Sequence, residues 1–456
     1  MKKILELNPE LAKNIWLEFS PQRMILMPVV IGLSTLSIVT NSDSIEDAAA
    51  TIHSLAAVAF IIITMLAGIR SASRSLSSEQ TGETWDWQRM SGIGAWKLAT
   101  GKLFGGTAYN WYGGLICLII YIATAVTATD PALEILTALI LIILSIGIHG
   151  VAMLATVPFM NQAGGKVRLR TFLIYSILIT AAVTIFSGYS SREAAVAPLS
   201  WYGMEISVPG IVLLLVTFYT TWVVAGLYRT MRAELQFTDP PTWWLLFLTT
   251  NLIFEFGFII SIPELQMGDS VLFTLLLVMV QYLGFTYITA LSDNKDVIGW
   301  RKLLNEAEPR FIFRQLPLWT VSMGFSLICL AFFIVLFLIF PLSESATSQI
   351  VKLTQGNPAH LIPLMVSVFA FVFRDIGIML LLSFSDRRRA PGTFVLVLFI
   401  LYGLMPGVVR EAGVNMIFFP DPNADPMLML AFPLVEALIV FMLVRRKWNQ
   451  SQAVTT

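Results

Sequence analysis

At 456 residues, 56% apolar and only 13% charged, the chain lies outside the composition of ordinary water-soluble globular proteins. Basic and acidic residues are equal in number, so net charge points to no nucleic-acid or acidic partner. The two cysteines, Cys117 and Cys329, fall inside apolar runs and form neither a disulfide framework nor a metal-ligand spacing.

In chain order, residues 8–20 (NPELAKNIWLEFS) read as an interfacial helix of the membrane surface. Asn8 suits the N-cap and Pro9 the first helical position. Leu11, Ala12, Ile15, Trp16 and Phe19 share one face, and Glu10, Lys13, Asn14 and Glu18 the other. Apolar runs able to cross roughly 30 Å of hydrocarbon follow. They fall at 24–40, 51–69, 103–126, 134–158, 171–189, 208–228, 243–262, 270–291, 317–341, 359–383, 392–409 and 426–444. No small-residue cleavage site follows the first run, so it is expected to stay in the protein as a span. The expectation is an all-α polytopic membrane protein of twelve transmembrane helices.

Between the second and third runs lies Glu79–Gly106, EQTGETWDWQRMSGIGAWKLATGKLFGG. It carries Trp85, Trp87 and Trp96, with Tyr109 and Trp111 just beyond. It is too polar to cross a bilayer and too short to be a domain. Placing the N-terminus inside the cell puts 25 of the 29 Lys and Arg residues on the inner side and leaves Arg192, Lys352 and Arg410 outside. Acidic residues divide evenly between the sides, and basic residues set topology, so both termini and Glu79–Gly106 are expected in the cytoplasm.

The second six runs follow the first six at offsets of 214 to 225 residues. Short stretches agree in the same order. LEFSP at 17–21 faces LQFTDP at 235–240, IGAWKL at 93–98 faces IGWRKL at 298–303, and LICL at 115–118 returns at 327–330. The expected organisation is two parallel six-span halves, 1–228 and 229–456.

The segment at 79–106 resembles the link between the second and third spans of ABC-2-type permeases, the membrane subunits of ATP-binding-cassette exporters. The residues that carry the likeness are Glu79, Gly82, Thr84, Trp85 and Asp86, then Ser91-Gly92-Ile93, Trp96-Lys97-Leu98 and Gly101-Lys102-Leu103. Glu83 interrupts the Gly-Thr pair, and Gly92 stands where that family commonly has proline. The resemblance implies that 8–20 is a connecting helix, through Leu11, Ile15, Trp16 and Phe19. It implies a coupling surface for ATPase subunits, two in number, formed by Thr84, Trp85, Asp86, Arg89, Trp96, Lys97 and Lys102. Trp300, Arg301 and Lys302 are the expected contacts in the second half. Trp and Arg are favoured anchors at protein interfaces; an alternative is that the tryptophans only sit in the headgroup belt.

A phosphate loop needs G-x-x-x-x-G-K-[ST]. Leu103 follows Gly101-Lys102, and Trp96 stands five residues before Gly101, so the pattern fails. The chain is expected to be no enzyme and to hold no cofactor or metal of its own, with ATP bound by a partner subunit in the cell's inner membrane. The cargo implied by so apolar a chain is a hydrophobic or amphipathic small molecule or lipid.

Charges at membrane depth are functional candidates by default. His149, Glu255, Arg374, Asp375 and Glu436 lie roughly 12–18 Å in from the cytoplasmic ends of their runs, at about 1.5 Å per residue. Arg374 is expected to pair with Glu255 or Glu436. The cluster reads either as a pathway lining or as a structural ion pair, and the second is favoured because the acids all belong to one half. His149 has no second histidine near it and reads as a hydrogen-bonded bundle residue. Twelve spans and buried carboxylates also fit an ion-coupled secondary transporter with a six-plus-six repeat, although the long link at 79–106 does not. A membrane-embedded enzyme has no residue cluster to support it.

Overall fold

The computed structural model describes residues 8–82, 84–125, 130–160, 199–237, 240–261, 267–292, 295–305, 308–340, 343, 347, 360–386, 389–409, 417–421 and 424–453. The expected span at 171–189 and the loop holding Arg192 lie outside them. Eleven of the described helices are long and apolar enough to cross a membrane, which makes the chain a polytopic, predominantly helical membrane protein. The chain divides into two compact units: Met1–Leu199 with Ile206–Asp239, and Ser200–Glu205 with Pro240–Thr456.

In the first unit, α1 (Pro9–Glu18) leads into α2 (Pro21–Asn41). The second membrane-length helix runs as α3 (Ile45–Phe60), a π-helical segment (Ile61–Leu66) and α4 (Ala67–Thr81). Two short helices follow, α5 (Trp85–Met90) and α6 (Ala95–Gly105). Gly92 turns the chain between them at φ +69°, a conformation that glycine adopts without a Cβ penalty. Then come α7 (Ala108–Ala125), α8 (Pro131–Met160) and α9 (Val208–Glu234). The third span therefore starts at Ala108, not at 103. The chain turns at Gly106-Thr107, and residues 103–105 close α6. Helix α3 packs on α7, and α8 on α9.

In the second unit, α10 (Thr242–Ile259) and α11 (Met267–Ser292) precede two short helices, α12 (Val297–Leu304) and α13 (Pro309–Gln315). Helix α14 (Leu318–Ile339) packs on α11, and α15 (Leu361–Ser385) on α18 (Pro426–Ala453). Between α15 and α18 the chain runs through α16 (Ala390–Leu398), a second π-helical segment (Phe399–Leu404) and α17 (Met405–Val409). A two-residue turn between β1 (Leu199–Trp201) and β2 (Met204–Ile206) places Tyr202 and Gly203 at φ 49° and 76°. Its tip binds α10: Trp201 Nε1 donates to the Phe254 carbonyl at 3.1 Å and Tyr202 Oη to that of Ile253 at 2.5 Å.

Candidate functional site

The polar link of the first unit is built around Lys102, whose side chain is 0% exposed. A buried ammonium needs its charge balanced and its three protons accepted. Glu10 on α1 accepts one bond at 3.0 Å, and Glu79 at the end of α4 accepts another. The ammonium also lies 5.4 Å from the centre of the Trp85 ring on α5. Lys13, one turn along α1, bridges the same two carboxylates at 2.9 Å to Glu10 and 2.7 Å to Glu79. Gln88 of α5 donates to Glu79 at 2.5 Å. Two cations and two anions from α1, α4 and α6 thus form one balanced cluster.

Helix α1 is seated on α6 by its polar side, which leaves part of its apolar side exposed. Glu10 and Asn14, one turn apart, are buried against α6, while Trp16 and Leu17 are exposed. The reason is the glycine pair Gly101 and Gly105. A Cβ at Gly101 would stand 2.7 Å from the Glu10 Cβ, and one at Gly105 would stand 2.7 Å from the Asn14 Cβ. Small residues one turn apart let the two helices close, and the polar stripe of α1 then meets Lys102 and the Gly101 carbonyl. Asn8 works in both directions. Its Oδ1 caps α1 at the amides of Glu10 and Leu11, and its Nδ2 donates to the Lys97 carbonyl at 2.9 Å.

Burial pushes the Glu10 carboxyl up, but the Lys102 charge and the hydrogen bonds from Lys13 and Lys102 outweigh it and hold the group below its ordinary 4.5. For Lys13, burial pushes down, and the hydrogen bonds and charges of Glu79 and Glu10 carry the ammonium above its ordinary 10.5.

The residues expected to form a coupling surface therefore separate into two sets. Trp85 and Lys102 are buried in the cluster and are not surface groups, because both complete the seat of α1. Arg89 is half-buried and pairs with Glu234 of α9 at 3.0 Å, tying α5 to the end of a span. Thr84, Asp86 and Lys97 are exposed. So are Trp87 at 72%, Trp96 at 54%, and Met90. Of the connecting-helix residues, Leu11, Ile15 and Phe19 are half-buried, and Phe19 meets Tyr109 and Tyr112 edge-on. In the second unit, Arg301 donates to the Trp448 carbonyl at 2.8 Å and covers its ring at 5.2 Å. Trp300 meets Trp319 edge-on at 5.9 Å, while Lys302 is exposed beside Ile298 and Leu304.

The groups at membrane depth each have partners within their own unit. His149 plugs the first π-helical segment. Its Nε2 sits 2.8 Å from the Thr64 carbonyl, and Asn110 donates to the neighbouring Ile63 carbonyl at 2.9 Å. Those carbonyls lie in the segment where Ala67 N–H reaches back to Ile62, so side chains satisfy what the ordinary ladder releases. Gly68 makes the space, since a Cβ there would lie 2.1 Å from the imidazole. Glu255 accepts from Gln281 at 3.1 Å, within α10 and α11. Arg374 instead pairs with Glu436 of α18 at 2.5 Å and with its sequence neighbour Asp375 at 2.9 Å. Tyr287 and Tyr402 both donate to Asp375 Oδ2, at 2.7 and 2.5 Å, and Tyr402 accepts from Arg374 at 3.0 Å. These two tyrosines carry no sequence signal, because only the packed bundle brings α11 and the second π-helical segment to Asp375. The glycine pair at 101 and 105, facing a polar pair at the same spacing, is the signal that marks the seat of α1.

Among the described residues no group of three or more His, Cys, Asp or Glu side chains is arranged to hold a metal ion. No family model, curated protein or solved structure matches the chain.

Proposed function

We propose that the chain is the permease subunit of an ATP-driven exporter of the ABC-2 type, moving a hydrophobic or amphipathic substrate across the inner membrane. Separate ATPase subunits bind and hydrolyse ATP, and two six-span halves with cytoplasmic termini switch access between the sides. The observation that carries this reading is the seat of α1. Helices α1, α5 and α6 lie outside the spans, are tied to α4 by a four-charge cluster centred on the buried Lys102 and Glu10, and still expose Asp86, Trp87, Met90, Trp96 and Lys97. A partner pushing on that exposed face moves a rigid piece, because pulling apart buried, paired charges is costly. The matching helix-to-helix pairings inside the two units support the repeat.

The experiment is purification of the full chain with its neighbours, followed by reconstitution. An ATPase should co-purify, and Trp87→Ala with Trp96→Ala should reduce chain-stimulated ATP hydrolysis about ten-fold or more, with the melting temperature unchanged, because exposed anchors contribute to binding more than to folding. Transport driven by a proton gradient with no ATPase present defeats this reading. That outcome favours an ion-coupled secondary carrier, for which the buried Arg374–Asp375–Glu436 group speaks.

A further inference from the structure

A cavity of about 130 Å³, open on one side, lies among the spans of the first unit. Ile31 of α2, Ala56 and Ala59 of α3, Ile63 of the π-helical segment, and Cys117 and Ile120 of α7 line it. The wall offers almost nothing to a polar guest. Its two hydroxyls are already used: Ser34 donates to the Val30 carbonyl at 2.8 Å and Thr35 to that of Gly32 at 2.9 Å. A cavity with no free polar partners holds no stable water, and about 150 Å³ of such space accommodates a benzene-sized hydrocarbon.

Depth identifies the occupant. At about 1.5 Å per residue, Ile31 and Thr35 lie roughly 15–21 Å along α2, and Cys117 and Ile120 roughly 13–18 Å along α7. That is the middle of a hydrocarbon core of about 30 Å, where the surrounding medium is acyl chain. Helix α2, one wall of the cavity, is the least buried of the eleven spans. One turn beyond Cys117 the apolar volume ends. Tyr121 stacks on His53 at 4.1 Å and hydrogen-bonds Glu134, and Thr124 lies 3.0 Å from His53 Nδ1. An empty half-open void at this depth forfeits dispersion contacts that a flexible chain supplies.

We propose that this cavity seats a short mid-chain stretch of one acyl chain of a membrane phospholipid, the rest of the chain leaving through the open side. The site does not depend on the ATPase reading. The test uses the full chain in nanodiscs of dioleoylphosphatidylcholine, released into detergent and weighed by native mass spectrometry. After the loosely held lipid is stripped, one phospholipid per chain remains. Ala59→Phe fills the space and lowers the retained lipid about ten-fold, whereas Ile119→Phe, on the exposed side of α7, leaves retention unchanged. If Ala59→Phe does not fold, Ala59→Leu fills part of the space and gives a smaller loss. In a Cys329→Ser chain, N-dodecylmaleimide adds to Cys117, and the modified protein retains no phospholipid. The proposal is overturned if the wild-type chain retains none, if a folded Ala59 variant or the Cys117-modified chain retains as much as wild type, or if Cys117 in the stripped chain stays unmodified.

Discussion

In the first unit, two cations and two anions meet beside the span ends; in the second, one cation and two anions meet inside the spans. The two places solve charge burial differently. At Lys102 the countercharges are complete, and Lys13 and Glu79 reach partly into water. Asp375 is fully buried, and its donors come from the protein: the Arg374 Nε and two tyrosine hydroxyls. Arg374 suits that place because its planar fork serves Asp375, Glu436 and Tyr402 together, which a point-charged ammonium cannot do. The Lys102 cluster rests mainly on paired charges, with Gln88 and Asn14 as neutral donors, so losing one charge there should cost more than at Asp375, where two tyrosines share the load with Arg374.

The largest effect separating the two is expected from Lys102→Met. It leaves Glu10 and Glu79 together without the buried cation, a loss of about 3–5 kcal/mol. The melting temperature should fall, and α1 should become open to limited proteolysis. Next comes a matched pair of carboxylate changes. Glu10→Gln, at 2% exposure, weakens the bond to Lys102 and should cost about 1–3 kcal/mol. Glu436→Gln keeps an acceptor for Arg374, whose charge Asp375 still balances, and should cost about 0.5–1.5 kcal/mol, read by denaturation of the two variants side by side. Equal losses would erase the distinction between the clusters. Gly101→Leu tests the seat without touching a charge. Its Cβ meets Glu10 at 2.7 Å, and overpacking of about 1–3 kcal/mol should detach α1 while the spans keep their helicity by circular dichroism.

The smallest effect is with pH. Glu10 is held below 4.5 in the folded chain, so its contribution is present above 4.5 and is lost as pH falls through the folded value. Lys13 is held above 10.5, so its contribution is present below 10.5 and is lost as pH rises past it. Docking of α1, followed by proteolysis within residues 9–18, should therefore be flat between these limits and weaken at both ends.

The spans are legible in the sequence because hydrocarbon thickness demands a run of apolar residues whatever the neighbours do. Helix α1 is legible for a similar reason: Asn8 and Pro9 satisfy orphan amides locally. The side on which α1 packs is not. Amphipathicity separates the two faces of α1, but only Gly101 and Gly105 on another helix make room for Glu10 and Asn14 to be the packed pair. Likewise, 12 to 18 Å of depth shared by several charges is a one-dimensional coordinate. It cannot separate Glu255, which meets Gln281, from Glu436, which meets Arg374.

Chain chemistry by itself determined where helices must run, which of them suit a membrane, and that the stretch after the second span is polar and aromatic. These follow from transfer free energy and local capping, each a property of contiguous residues. Tertiary structure decided that Lys102 is a buried clamp and not a surface contact, that Tyr287 and Tyr402 share Asp375, and that an apolar cavity opens beside Cys117. Each depends on which faces of separate helices meet, and close packing settles that only when the helices come together.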